Sequence, residues 1–190
     1  MYYFVKQVIK IIVLIMGGAF GKRKVQVLVV GLDNSGKTSI INALKNEKNA
    51  TVAPTVGFNK DSVEKFNLNF QFSDMSGQNQ YRGMWEQYAT KIDGLIFVID
   101  SSDKIRFGIA LDEFKLLLET PGFDKDLPIL VYANKQDSPE AQSPQFFIDY
   151  LELKSYKNPS QCFGGSAKTG VGLDQGLQWL SAKIQQVKPK

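Results

Sequence analysis

Residues 31–38 read GLDNSGKT, between the β-branched run VQVLVV at 25–30 and SIINALK at 39–45. Few motifs restrict a fold so tightly. A buried strand has to end where glycines let the backbone curl. A helix has to begin at once, so that the loop's N–H groups converge on an anion at the helix N-terminus. The pattern G-x-x-x-x-G-K-[ST] also places Lys37 to reach β- and γ-phosphates and the Thr38 hydroxyl to ligate Mg²⁺. Gly31, Asp33, Asn34, Ser35, Gly36, Lys37, Thr38 and Ser39 are therefore nucleotide-binding candidates.

The remaining pattern fits such a loop. Residues 65–73 (KFNLNFQFS) alternate apolar and polar, as a strand with one solvated face does. Residues 94–99 (GLIFVI) and 128–133 (PILVYA) have the length and composition of buried strands, and 107–119, 144–151 and 173–187 are helical in pattern. Strands alternating with helices predict an α/β fold with a mostly parallel sheet covered on both faces. A chain of 190 residues without internal repeats predicts one folded domain.

Composition removes several function classes. There is no histidine, which excludes zinc sites built on histidine and a histidine general base. Cys162 is the only cysteine, so no disulfide forms within the chain. The net charge of +4 is mild and dispersed; it predicts no nucleic-acid partner and is compatible with an anionic membrane surface.

NKQD at 134–137 follows a buried strand. At that position Asp137 can accept from both N1–H and the 2-amino group of guanine, an arrangement adenine does not offer. Asn134 and Lys135 flank it, at the strand end where ligands of parallel sheets bind. Ser166, Ala167 and Lys168 precede the last helix, and a backbone N–H there can contact the guanine O6. Asp74, in DMSGQ at 74–78, fits a Mg²⁺ role through water. Gly77 can bring its N–H to a γ-phosphate, and Gln78 can orient an attacking water. Thr55, in PTVGF, can complete the Mg²⁺ shell when a γ-phosphate is bound. The implied ligands are GTP, GDP and Mg²⁺.

GLDNSGKT, PTVGF, DMSGQ, NKQD and SAK, in this order, resemble the nucleotide motifs of Arf-family small GTPases. The likeness covers residues 22–187. Asp33 in the loop, the PT-[IV]-GF pattern and the spacing of nineteen residues from Thr55 to Asp74 separate this family from Ras and Rab relatives. The resemblance implies a P-loop small GTPase fold with six strands, mostly parallel, and a GTPase domain over 22–190. Within the family, residues 74–103 are most similar to the ciliary branch that recruits the Bardet–Biedl (BBSome) coat; a member acting in Golgi or endosomal traffic is the alternative. Ser73 stands where Arf proteins usually carry Trp beside the equivalents of Phe58 and Tyr88, so effectors of ordinary members do not transfer. Val56, Phe58, Met84, Trp85 and Tyr88 are candidates for an exposed apolar effector patch in the GTP state, with core packing the open alternative for Trp85 and Tyr88.

The resemblance also implies a mechanism. GTP hydrolysis releases the loops held by Thr55 and Gly77. On GTP binding, a hairpin over residues 60–73 is expected to slide in register and displace the N-terminal segment. Only seventeen residues separate Thr38 from Thr55, too few for an inserted domain carrying an arginine in cis. A GTPase-activating protein therefore has to supply one in trans, and intrinsic hydrolysis is expected to be slow. Arg82 is read as a solvated residue near Gln78 rather than an internal finger. An exchange factor and a GTP-dependent effector or coat complete the expected partners. A nucleotide-gated scaffold that scarcely hydrolyses and a P-loop ATPase or nucleoside kinase are the competing classes.

Residues 1–21 are read as an apolar, membrane-associating segment, MYYFVKQVIKIIVLIMGGAFG. The run is short for a spanning helix and lacks a signal-peptide cleavage pattern. Two starts stand open. From Met1, residues 2–16 form the membrane-binding helix of Arf-family proteins. From Met16, residues 1–15 are an upstream extension and Gly17 is open to N-myristoylation, with Lys22, Arg23 and Lys24 as the electrostatic second signal. The C-terminal QQVKPK offers no prenylation cysteine. The expected location is cytoplasm and membrane, at the cilium or its basal body.

Overall fold

The computed structural model describes residues 21–47 and 53–187. The readings for residues 1–20, including the choice of start and acylation of Gly17, lie outside the described residues. Strands β1 (Arg23–Val30), β2 (Phe58–Lys65), β3 (Leu68–Met75), β4 (Gly94–Asp100), β5 (Ile129–Asn134) and β6 (Ser160–Gly164) form one sheet in the order β2-β3-β1-β4-β5-β6. Only β2 runs antiparallel to its neighbour. The helices are α1 (Lys37–Leu44), α2 (Asn79–Arg82), α3 (Met84–Ala89), α4 (Phe107–Leu118), α5 (Pro144–Tyr150) and α6 (Leu173–Gln186). Among the described residues, no helix is long and apolar enough to cross a membrane.

Alternation along the central strands divides the core. Val25, Val27 and Val29 of β1 pack with Ile40, Leu44, Leu177 and Leu180 on one face. Leu28 and Val30 point the other way, to Phe97, Phe114 and Leu117. A strand buried on both faces has to be apolar throughout, as VQVLVV, GLIFVID and ILVYAN nearly are. Edge strand β2 is different: Lys60 and Glu64 are exposed and Asp61 is half-buried, charges that discourage pairing with another chain. Helix α5 starts where the sequence marks it. Ser143 accepts from the Phe146 N–H at 3.2 Å, and Pro144 takes the first turn, where no N–H is required.

Three segments differ from the sequence expectation. Residues 65–73 are not one strand but the end of β2, a two-residue turn and β3. Phe66 and Asn67 have φ of 49° and 64°, the double left-handed geometry of a tight hairpin. The hairpin extends from Phe58 to Met75, wider than 60–73. The sixth strand and the short helices α2 and α3 had no apolar run to announce them.

Trp85 is 2% exposed and belongs to the core, so it leaves the expected effector patch. Its indole N–H donates to the Ser76 carbonyl at 3.0 Å. That bond holds the DMSGQ segment against the body of the protein. Trp85→Ala should cost ~3–5 kcal/mol of stability, the usual loss for a truncated buried aromatic. Denaturant unfolding followed by circular dichroism checks this; a change below about 1 kcal/mol would place the side chain outside the core.

Candidate nucleotide site

The candidate residues gather at the C-terminal ends of β1, β3, β5 and β6, with Thr55 just before β2, around one cleft. A cavity of about 440 Å³ is lined by Asp33, Asn34, Gly36, Lys37, Thr38, Ser39, Thr55, Ser76, Gly77 and Gln78. A neighbouring one of about 320 Å³ is lined by Asn34, Gly36, Ser39, Asn134, Lys135, Asp137, Ala167 and Lys168. Asn34, Gly36 and Ser39 border both, which makes the two a continuous trough with a phosphate end and a base end.

Lys37 Nζ donates to the carbonyls of Gly31 and Leu32 at 3.0 and 2.9 Å. Burial lowers its pKa from 10.5 to about 8, against the upward pull of Asp74 and Asp33. Gly36 takes φ of 92° with its α-carbon against the Asn134 amide, so a side chain there meets that amide. Ser35 is buried with no hydrogen-bond partner for its hydroxyl.

Thr38, Thr55 and Asp74 converge. The Thr38 hydroxyl donates to Asp74 Oδ2 at 2.5 Å and lies 3.2 Å from the Thr55 hydroxyl. Asp74 is fully buried, which raises its carboxyl pKa, although the Thr38 hydroxyl and Lys37 pull it down. Its second oxygen, Oδ1, is buried without a partner. Two hydroxyls and a buried carboxylate with one orphaned oxygen, beside a phosphate-sized cavity, form a donor set that fits a hard divalent cation such as Mg²⁺.

Gly77 lies on the phosphate loop. Its carbonyl accepts from the Asp33 N–H at 3.1 Å, and a Cβ would strike the backbone of residues 31–33. Gln78 follows at the phosphate cavity; its N–H reaches Ser76 Oγ at 3.4 Å.

At the base end, the Ser166 hydroxyl donates to Asp137 Oδ1 at 2.6 Å and holds that carboxyl below the usual carboxylate range. The Ser166 N–H is engaged by the Val171 carbonyl and the Ala167 N–H by Asn134 Oδ1 at 3.1 Å. Lys168 extends into solvent 3.9 Å from Asp137 Oδ2. Lys135 pairs with Asp100 at 2.7 Å; burial pushes Asp100 upward, but Lys135 and Ser102 hold it below the ordinary range.

Several functional contacts escaped the sequence reading. Arg82 is not solvated: its side chain is 13% exposed and reaches the Gly77 carbonyl, Glu113 and Asp33. Arg106 also reaches Asp33. Asp103 and Arg106, three apart just after a buried strand, were the available signal. Gln136, between Lys135 and Asp137, donates to Ser101 Oγ and the Gln142 carbonyl and fixes the base loop from below.

Fold and site together define a P-loop protein of the small-GTPase class. Residues 12–184 match the ADP-ribosylation factor (Arf) family, and the chain belongs to it. Among solved structures it is similar to the Arl6 BBS3 small GTPase of Trypanosoma brucei with the bound nucleotide analogue GppNp. That likeness has 34% identity and a TM-score of 0.79, over 86% of this chain and 98% of that one. Arf-family proteins are GTP hydrolases that bind GTP and GDP with Mg²⁺.

Lys37 generates a pH prediction. The unfolded amine titrates near 10.5 and the folded one near 8, so over that interval the unfolded state holds more protons. Stability of the nucleotide-free protein should therefore rise with pH from about 8 to 10.5, by up to about 3 kcal/mol. Lys37→Met should remove that rise. Unfolding of both proteins across this pH range is the check; equal slopes would contradict it.

Proposed function

We propose that this Arf-family GTPase is a membrane switch of the cilium that recruits a BBSome-like coat in its GTP form. The observation that carries the switch is the meeting of Thr55, Thr38 and Asp74 beside the phosphate cavity, with Gly77 bonded to the phosphate loop. Two segments are tied to the loop that holds the nucleotide, so loss of the γ-phosphate loosens both.

In this reading Lys37 and the loop N–H groups bind the phosphates, and Asp137, oriented by Ser166, selects guanine. Gln78 orients the attacking water. Thr38, Thr55 and, through water, Asp74 would hold Mg²⁺, which when bound would supply neutralisation of the phosphate charge. Intrinsic hydrolysis is slow: Arg82 is engaged by Asp33, Glu113 and the Gly77 carbonyl, and Arg106 by Asp33 and Asp103, so an activating protein supplies the finger. Release of the γ-phosphate lets the 58–75 hairpin change register and alters how the N-terminal segment meets the membrane. An exchange factor resets the cycle.

The likeness of residues 74–103 to the ciliary branch and the similarity to the Arl6 BBS3 protein support the ciliary coat reading. Ser73 supports a partner set apart from that of ordinary Arf proteins. It leaves Phe58 and Tyr88, with ring centroids 5.4 Å apart, without the usual third aromatic.

Gln78→Leu should bind GTP yet lose most activator-stimulated hydrolysis, by about 10²-fold or more. Thr38→Asn should stay empty or GDP-bound. Proteins retained from a ciliary extract by the GTP-loaded Gln78→Leu protein, and not by Thr38→Asn, should include BBSome subunits. Golgi or endosomal coats in their place would refute the ciliary assignment.

Asp137→Asn replaces an acceptor by a group that can donate. It should weaken GDP binding by ~2–4 kcal/mol and favour xanthosine diphosphate. Titration of both nucleotides decides this; an unchanged guanine preference would remove Asp137 from the base site.

A further inference from the structure

Asp33 is the one acid in the phosphate loop and borders the phosphate cavity. A bare carboxylate there opposes the binding of a phosphate chain, because water screens the repulsion incompletely beside protein. Two arginines face it. Arg106 Nη1 donates to Asp33 Oδ1 and to the Asp33 carbonyl, each at 3.2 Å, while its Nε is held by Asp103 at 2.6 Å. Arg82 Nη2 lies 3.6 Å from Oδ1, with Nη1 on Glu113 and Nε on the Gly77 carbonyl, both at 2.9 Å.

Asp33 is 48% exposed, and exposed ion pairs contribute little to stability. The cluster therefore matters through what it does to the loop. Its two arms differ in origin. Arg106 ends the short turn Lys104–Arg106 after β4, on the scaffold. Arg82 ends α2, in the segment that carries Gly77 and Gln78. Its Nε holds the carbonyl that also accepts from the Asp33 N–H.

We propose that Arg106 and Arg82 are positioning residues of the nucleotide site, which hold the Asp33 carboxylate away from the phosphates. Arg106 acts for either nucleotide. Arg82 acts only while the 74–78 segment rests on the loop, which on the proposed switch reading is the triphosphate state. The inference relies on the reading of residues 31–38 as a guanine-nucleotide loop, which the wild-type protein tests by itself.

The experiment is equilibrium titration of the full chain with fluorescent GDP and a non-hydrolysable fluorescent GTP analogue at low salt. Wild type is compared with Asp33→Asn, Arg106→Gln, Arg82→Gln and the Asp33→Asn/Arg106→Gln double variant. Arg106→Gln should weaken both ligands about tenfold, and adding Asp33→Asn should restore binding to within about threefold of wild type, the signature of direct coupling. Arg82→Gln should weaken the GTP analogue about tenfold and GDP less than about threefold. Asp33→Asn alone removes the opposing charge without needing either arginine variant to fold, and it should tighten the binding of both ligands. A tenfold loss in Asp33→Asn, or a double variant no better than Arg106→Gln, would overturn the inference. Equal losses of both ligands in Arg82→Gln would overturn its state-dependent arm. Failure of the wild type to bind either ligand would instead sink the nucleotide-site reading.

Discussion

The buried amide of Asn134 ties together three segments that the chain keeps far apart. Its Nδ2 donates to the Ser35 carbonyl at 2.8 Å, across 99 residues, and its Oδ1 accepts from the Ala167 N–H at 3.1 Å. Its own backbone carbonyl accepts from the Ser101 N–H at 2.9 Å. A carboxylate in its place could accept from Ala167 but offer nothing to Ser35; an apolar side chain would strand both groups. Buried polar groups without partners are costly, so the side chain that completes this network also fixes the distance between the phosphate and base ends of the cleft. Gly36 follows from the same contact, since a Cβ at 36 would occupy the space of that amide.

What could be read in advance depended on whether one short stretch carried the whole physical reason. GLIFVI and PILVYA, and VQVLVV beyond the exposed Gln26, are buried on both faces, so composition alone marks them. GLDNSGKT imposes its own turn. The hairpin turn at Phe66–Asn67 has neither glycine nor Asn-Gly, and the apolar alternation runs through it unbroken. Its left-handed residues are held instead by distant partners: Ser181 Oγ donates to the Phe66 carbonyl at 3.1 Å, and Phe66 packs against the core. Strand β6 is an edge strand with only Cys162 buried, too little apolar pattern to detect. Arg82 looked solvated because its partners, Asp33 and Glu113, lie on other elements. The candidate residues were legible one motif at a time; the bonds between motifs were not, because they depend on sheet order.

The energetics of the site run against the stability of the fold. Lys37 is buried with its pKa lowered, Asp74 is buried with its own raised, and Ser35 Oγ and Asp74 Oδ1 have no partners. Each costs stability, and Lys37 and Asp74 sit at the cleft, whereas the Ser35 hydroxyl is buried behind the loop, facing Val98 and Phe107. Polar groups left unsatisfied in a native fold call for a reason. For Lys37 and Asp74 the reason is a polyanionic ligand with its cation, which would satisfy amine and carboxylate together.

Hairpin register then connects the two switch segments. Phe58 pairs with Met75 and Asn59 with Asp74, so Thr55, three residues before Phe58, arrives at the same strand end as Asp74. Asp74 is set against Val29 of β1, just before the phosphate loop, and so reaches Thr38. Neither segment can move along β1 without the other. A slide of one residue would turn Phe70 and Phe72 out of the core, whereas a slide of two keeps every side chain on its face and carries Thr55 and Asp74 about 7 Å along the strand. The permitted step is therefore large and discrete. It has to break the turn's anchors on α6, the Ser181 and Gln185 bonds to Phe66 and the Lys65–Asp174 pair at 2.6 Å. In the proposed switch, a sheet edge that shifts only in steps of two residues would give the nucleotide a two-position output rather than a graded one.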